Sequence, residues 1–222
     1  MFAKMSILNF LEEELNNKTY KLTIMNKKLK KNLIEYGIFA FVILGLYISG
    51  LHTEVIGFAQ RGLLATGAMN PDIEQIKEDS ELIENPITKA DFRMNLVNSK
   101  GEKVAMEQFR GKVIFINLWA TWCPPCVAEM PSIDAMYKDI DKDKVEVLMV
   151  SFDRQFEKAV NYKKNKDFAF EVYALDGPMP SMYNTNSIPT TYIIDSKGNL
   201  VFKHSGMADY NRQDFKDFLK SL

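Results

Sequence analysis

The chain has few of the residues that build disulfide scaffolds, metal sites and nucleic-acid interfaces. Only two of its 222 residues are cysteine, and only two are histidine. Two cysteines cannot form the dense framework of a small secreted scaffold or complete a four-cysteine zinc site. The formal net charge of −1 leaves no basic surplus for nucleic acid. We therefore predict neither a nucleic-acid partner nor a resident metal.

Long hydrophobic runs are also missing, with one exception at residues 33–51. This run has 19 residues and one charge, Glu35. A helix of that length just crosses a hydrocarbon core of about 30 Å. Six lysines lie in the 15 residues before the run, whereas one arginine, Arg61, lies in the 20 residues after it. The positive-inside rule therefore predicts a cytoplasmic N-terminus and an extracytoplasmic remainder. A buried core helix and a cleaved signal peptide are the alternatives.

Charge and hydropathy divide the chain into four predicted parts. Residues 1–32 form a basic cytoplasmic tail, and residues 33–51 form the transmembrane anchor. Residues 52–91 form a juxtamembrane helix and an acidic tether, and residues 92–222 form the working domain. Met25 precedes a lysine-rich segment, and we expect it to be the true translation start.

The segment after the anchor has apolar residues at helical spacing, namely Val55, Phe58, Ala59, Gly62 and Leu63. It is predicted to be either an amphipathic helix on the outer membrane face or a continuation of the membrane helix. The segment that follows, 71–91, holds seven acidic residues against two lysines. That composition is typical of a solvated tether.

The last 131 residues alternate between strand and helix patterns. Hairpins are predicted near each end, a short edge strand is predicted at 170–175, and the last helix should carry Tyr210 and Phe215 on one face. In chain order the prediction is a hairpin over 92–106, buried strand 113–119, helix 124–139, buried strand 145–152, helix 154–166, strand 170–175, hairpin 190–205 and helix 209–221. This order predicts a mixed α/β domain.

Both cysteines lie in one short motif, Trp-Cys-Pro-Pro-Cys at 122–126. Cys123 follows a buried strand and opens a helix, where free backbone N–H groups stabilise a thiolate. Pro124 and Pro125 suit the first helical turn. Cys126 lies one turn further and should be shielded. Cys123 is thus the expected nucleophile that forms a mixed disulfide, and Cys126 is the thiol that resolves it.

Three interpretations without redox chemistry compete with this one. A zinc half-site needs two further ligands, and the only histidines are His52 and His204. A purely structural disulfide in so small a ring gains little loop-closure entropy. Chance spacing is the third. We favour a redox-active Cys123–Cys126 disulfide that needs no other cofactor.

Residues 92–222 resemble the TlpA/ResA-like group of membrane-anchored thioredoxin-fold proteins. The segments that carry the resemblance are 111–133, 145–153 and 187–206. The resemblance implies a thioredoxin-like fold, with a central mixed sheet flanked by helices and an N-terminal β-hairpin extension. It also implies reduction of protein disulfides outside the cytoplasmic membrane, in some members for cytochrome c maturation. A membrane thiol-electron donor is then an implied partner.

The resemblance assigns roles to single residues. It makes Cys123 the nucleophile, Cys126 the resolving thiol, and Pro189 a cis-proline that, with Ile188, docks substrate backbone. It makes Glu129 an aid to thiol protonation, although a solvated helix glutamate is the alternative.

Asn117 stands where ordinary thioredoxins carry a buried aspartate, which favours Glu129 as the proton acceptor. Pro131 resembles a proline that kinks the active-site helix. Trp122 is expected either to contact substrate beside Pro124 and Pro125 or simply to pack.

Two other functions on this fold remain as alternatives. A peroxiredoxin-like thiol peroxidase uses one cysteine in a Thr-x-x-Cys setting, and Thr121 is two residues from Cys123. A non-enzymatic copper-delivery module would need wider cysteine spacing and a well-placed histidine, for which only His204 is available in the domain.

Overall fold

The computed structural model describes residues 29, 31–49, 51–64, 66–67 and 88–222. Most of the predicted cytoplasmic tail, including Met25, and most of the acidic tether lie outside these residues and stay predictions. The chain forms two compact units, residues 1–51 and 52–222. The first contains helix α1, Lys31–Ile48, whose 18 residues are long and apolar enough to cross a membrane.

The second unit holds the remaining elements. They begin with a helix that is separate from α1, and the predicted strand and helix order follows from residue 95 onward. Their bounds are α2 Leu51–Leu64, β1 Asn95–Asn98, β2 Lys103–Ala105, β3 Val113–Trp119, α3 Pro124–Asp139, β4 Val145–Ser151, α4 Phe156–Lys166, β5 Val172–Leu175, β6 Thr190–Ile194, β7 Leu200–Ser205 and α5 Gln213–Ser221.

The strands form one seven-stranded sheet in the order β2-β1-β5-β4-β3-β6-β7. Strands β3, β4 and β5 run parallel, and the two hairpins add antiparallel strands on either side. The prediction of β5 as an edge strand is wrong, because the β1–β2 hairpin pairs with its outer side at Leu96 and Leu175. The hairpin extension thus covers the edge that β5 would otherwise expose.

Strand β3 lies at the centre of the sheet, and all seven of its residues are buried. Successive side chains point to opposite faces. Phe115 and Trp119 join a core with α3 and α5, while Ile114 and Ile116 join a second core on the other face. Burial on both faces explains why this segment is a continuous apolar run rather than an alternating one.

The last helix is shorter than the sequence predicts. It begins at Gln213 rather than 209, so Tyr210 lies in the preceding loop instead of on a helical face. Tyr210 is nevertheless fully buried, and its ring packs edge-on against Phe115 with centroids 5.1 Å apart. Aromatic burial, and not helical periodicity, sets its position.

Helix α2 packs on the rest of its own unit. Its buried residues are Thr53, Gly57 and Leu64, and Leu64 belongs to a small apolar cluster with Ala128 of α3 and Met207. Neither sequence-based alternative for this segment included such a contact.

Candidate active site

The cysteine pair forms a disulfide where β3 passes into α3. Cys123 is the N-cap residue of α3, and Pro124 and Pro125 occupy its first two positions. The backbone N–H of Cys126 donates to Cys123 Sγ across 3.3 Å. Amide groups at a helix N-terminus stabilise negative charge. The sulfur of Cys123 is therefore the one placed to carry charge after reduction.

The two cysteines differ in burial. Cys123 keeps 4% of its surface exposed, whereas Cys126, in the first turn of α3, has no exposed surface. This difference favours Cys123 as the attacking thiol and Cys126 as the resolving thiol, and the two roles stay predictions.

A cis-proline loop faces the disulfide. The Ile188–Pro189 bond is cis, as expected from the resemblance, and β6 begins directly after it. The carbonyl oxygen of Ile188 lies 3.7 Å from Cys123 Sγ. Trp122 is 58% exposed. It and Ile188 line an open groove of about 440 Å³, together with Phe152, Thr185, Asn186 and Ser187.

Glu129 is fully buried, so its interpretation as a solvated helix glutamate is wrong. It lies three residues after Cys126 and thus on the same side of α3. One carboxylate oxygen accepts from Asn117 Nδ2 at 2.8 Å, and the other accepts from the Ala208 N–H at 3.2 Å. Desolvation outweighs these two hydrogen bonds and raises the pKa of Glu129 to about 8. This carboxyl group can therefore gain or lose a proton near neutral pH.

The buried polar cluster extends beyond Glu129. Asn117 Nδ2 also donates to Thr191 Oγ1 at 3.0 Å, and the Tyr210 hydroxyl donates to the same oxygen at 2.7 Å. Burial raises the pKa of Tyr210 well above its usual value, so it stays a neutral donor. Asn117 Oδ1 is buried without a hydrogen-bond partner among the described residues.

A second polar contact fixes the loop before Cys123. The backbone N–H and the hydroxyl of Thr121 donate to Asp153 at 2.9 and 2.7 Å, and the Ser151 hydroxyl also donates to Asp153. Sequence reasoning missed Asp153. The sequence signal for Asp153 is its position just after β4. Because β3 and β4 are parallel neighbours, their carboxyl ends lie at the same edge of the sheet, which brings Asp153 near the loop after β3. Thr121 is thus engaged in holding the loop.

The predicted site residues do come together. The helix start holds Cys123, Pro124, Pro125 and Cys126, and Trp122 and Ile188 line the groove. Pro189 directly precedes β6, and Glu129 lies one turn after Cys126 on α3. Thr191 and Tyr210 were missed. The only sequence signal for Thr191 is that it is polar within the apolar run of β6. In the sheet it pairs with Asn117.

No group of three or more histidine, cysteine, aspartate or glutamate residues could hold a metal ion within the part of the chain that the structure describes. His204 lies on β7 in register with Thr191, and its ring packs near Phe202. The burial of His204 lowers its pKa, since the charged form loses solvent.

Comparisons with known proteins agree with this geometry. Residues 87–203 match the profile of the AhpC/TSA family. The chain is 30% identical over 125 residues to "Thiol-disulfide oxidoreductase ResA" of Bacillus thuringiensis subsp. konkukian (strain 97-27), covering 55% of this chain and 70% of the relative. It is 35% identical over 119 residues to "Thioredoxin-like protein YneN" of Bacillus subtilis (strain 168), covering 52% and 68%.

Two solved structures show the same fold. A thioredoxin family thiol:disulfide interchange protein of Chlorobium tepidum TLS gives a TM-score of 0.51 at 23% identity, covering 61% of this chain and 99% of that one. The structure of MTB dsbF in mixed oxidized and reduced forms gives 0.52 at 18% identity, covering 60% and 98%. The predicted thioredoxin-like fold is confirmed.

Proposed function

Because the chain belongs to the AhpC/TSA family and is a thiol-disulfide oxidoreductase, we propose that it reduces protein disulfides outside the cytoplasm while α1 anchors it in the membrane. One observation carries the redox assignment: a Cys-Pro-Pro-Cys disulfide lies at the N-terminus of α3, and Cys123, the one cysteine of the pair with exposed surface, directly follows Trp122 of the open groove.

Reduction of a substrate follows two exchange steps. The Cys123 thiolate attacks one substrate sulfur, a new S–S bond forms, and the other substrate sulfur leaves as a thiolate that takes up a proton. Cys126 then loses its proton and attacks Cys123 Sγ, which breaks the mixed disulfide and releases the second substrate thiolate. The substrate gains two electrons, and Cys123 and Cys126 lose them.

In this mechanism Glu129 handles the proton of Cys126. Thiol and carboxyl lie one helical turn apart on α3, and a group with a pKa of about 8 exchanges protons readily near neutral pH. Asn117 would hold the ionised carboxylate by donating to it.

The groove supports a polypeptide substrate rather than a small polar one. The exposed Trp122 and the half-buried Ile188 provide apolar surface, and the Ile188 carbonyl oxygen before Pro189 lies next to Cys123. Pro124 and Pro125 are half-buried in the first turn of α3 and follow Trp122 closely in the chain, so we include them in the substrate surface. So shallow a surface recognises an extended strand around a disulfide without selecting one sequence.

We also propose that the protein reduces its substrate and that it does so on the outer side of the cytoplasmic membrane. A reductase outside the cytoplasm must be re-reduced by electrons that cross the membrane, which makes a membrane thiol donor the implied partner. The lysine-rich flank before α1 supports a cytoplasmic N-terminus. The resemblance adds cytochrome c maturation as a candidate process, with an apocytochrome cysteine pair as substrate.

The reduction potential of the Cys123–Cys126 pair tests the direction. We expect a value near that of thioredoxin, about −270 mV, when the full chain in detergent is equilibrated with dithiol buffers. A value near about −120 mV would make the protein an oxidant and overturn the reductase proposal. A Cys123→Ala/Cys126→Ala variant is the control and should show no two-electron couple.

Trp122→Ala should weaken recognition of polypeptides selectively. We expect kcat/KM for insulin disulfides to fall about 5- to 10-fold, equivalent to about 1 kcal/mol of lost aromatic contact. Reduction of glutathione disulfide should change little, because Trp122 is exposed and bonds neither sulfur. An equal loss with both substrates would show that Trp122 acts on the dithiol itself.

A further inference from the structure

Helix α2 has an unusual distribution of polar and apolar residues. Its polar residues Thr53, Glu54, Gln60 and Arg61 are buried or half-buried on the side that faces the rest of the unit. On the opposite side, every residue whose burial the structure describes is apolar. This outer face consists of Val55, Ile56, Phe58, Ala59, Gly62 and Leu63, all exposed, with Phe58 at 73%, Val55 at 55% and Leu63 at 52%.

The contacts of α2 fix the direction in which this outer face points. An atom in the Cβ position of Gly57 would lie 3.2 Å from Val127 Cγ1 and 3.3 Å from the Pro124 carbonyl oxygen. The glycine therefore lets α2 approach the first turn of α3 closely. Glu54 adds an ion pair with Lys166 of α4 at 2.8 Å. These contacts hold the inner side of α2 against the domain, whereas the outer face stays exposed.

A helix on the surface of a soluble domain normally turns its apolar side inward and its polar side to water. Helix α2 has the reverse arrangement. Contiguous exposed apolar surface of this kind marks an interaction site rather than a solvated helix. Since the described side chains of this face are all apolar, we expect its occupant to offer an extended apolar surface.

We propose that the outer face of α2 rests in the interfacial layer of a lipid bilayer. The inference rests on the proposed anchoring by α1. Only residues 49 and 50 separate α1 from α2 in the chain, and two residues span at most about 7 Å. A bilayer crossed by α1 is thus within reach of α2.

The border of the outer face also suits lipid. Arg61 is the only basic residue of α2 apart from His52, and its guanidinium lies 5.6 Å from the centre of the Phe58 ring. Such a pair can place the ring among acyl chains and the cation among headgroup phosphates. Because α2 also touches Pro124, binding of the outer face to lipid keeps the disulfide end of α3 near a membrane-embedded thiol donor.

Tryptophan fluorescence in the full chain tests this placement. Phe58→Trp, reconstituted in phosphatidylcholine/phosphatidylglycerol vesicles, should emit at shorter wavelength than a water-exposed tryptophan and be quenched by phospholipids brominated near the headgroup. The matched control is Lys100→Trp, at the exposed turn between β1 and β2, which should show neither effect. The signal of Trp119 and Trp122 is subtracted with the unsubstituted chain.

Three outcomes would overturn the inference. Long-wavelength, unquenched emission from position 58 would mean contact with water, and short-wavelength, unquenched emission would mean contact with protein. A chain that does not float with the vesicles would remove the anchor as well. Insulin reduction by the same preparation reports separately on the oxidoreductase function, so a failure of the inference and a failure of the function are distinguishable.

Discussion

Cys126→Ala is expected to abolish repeated turnover while leaving a single attack by Cys123 intact. The reason lies in the exposure of the two sulfurs and in the helix start. Cys123 is the one cysteine of the pair with exposed surface, and the N-terminal amides of α3 stabilise its thiolate. Without Cys126 nothing inside the protein can break the mixed disulfide, so the substrate stays bound to Cys123. Intact-mass measurement after incubation with a protein disulfide should show this adduct, and dithiothreitol should release it.

Cys123→Ala is the matched control for this experiment. It leaves Cys126 as the only thiol, and that residue lies in the first turn of α3 without surface exposure. We therefore expect no adduct and no turnover. An adduct on Cys126 in the Cys123→Ala variant, together with none on Cys123 in Cys126→Ala, would reverse the assigned roles.

The local part of the site is predictable from the sequence. A Cys-Pro-Pro-Cys motif after a buried β-rich run indicates a helix start, because proline fits the first helical turn and a thiolate gains from the free amides there. The structure places α3 at Pro124–Asp139, the predicted bounds. The cis bond before Pro189 required the family resemblance, since an X-Pro sequence alone does not distinguish cis from trans.

The buried polar cluster was harder to predict because it depends on strand register. Asn117 meets Thr191 only through the antiparallel pairing of β3 with β6, which joins residues 74 positions apart. Tyr210 reaches the cluster from a loop, although its spacing with Phe215 suggested one helical face. The packing of α2 on α3 escaped prediction for a similar reason, since the close approach at Gly57 leaves no pattern in the local sequence.

Glu129 should make the folded protein less stable as the pH rises from about 4.5 to about 8. In this window the unfolded chain carries an ionised Glu129, with an ordinary pKa of 4.5, whereas the folded protein keeps it protonated. The folded state thus binds one more proton, and the free energy of unfolding falls by about 1.4 kcal/mol per pH unit. Over the whole window the loss amounts to about 5 kcal/mol, and the curve becomes level above the folded-state pKa.

Glu129→Gln should remove this slope because the amide does not titrate. Other groups also change stability with pH; His204, whose pKa is lowered by burial, contributes up to its ordinary value of 6.5. The difference between the parent chain and the variant cancels such contributions. Urea unfolding of both chains in detergent, followed by tryptophan emission at several pH values between 5 and 8, measures that difference. Glu157→Gln on the exposed side of α4 controls for the loss of one acidic side chain.

The same substitution separates a structural role of Glu129 from a role in proton transfer. Asn117 Oδ1 has no other partner among the described residues, so the Asn117 amide can turn to accept from the amide that Glu129→Gln introduces and preserve the packing. If Glu129 serves as the base for Cys126, resolution of the mixed disulfide should slow by about 10²-fold or more, while formation of the adduct on Cys123 keeps its rate. Parallel stability curves for parent and variant would show that Glu129 is ionised in the folded protein. Unchanged resolution would confine its role to the cluster with Asn117.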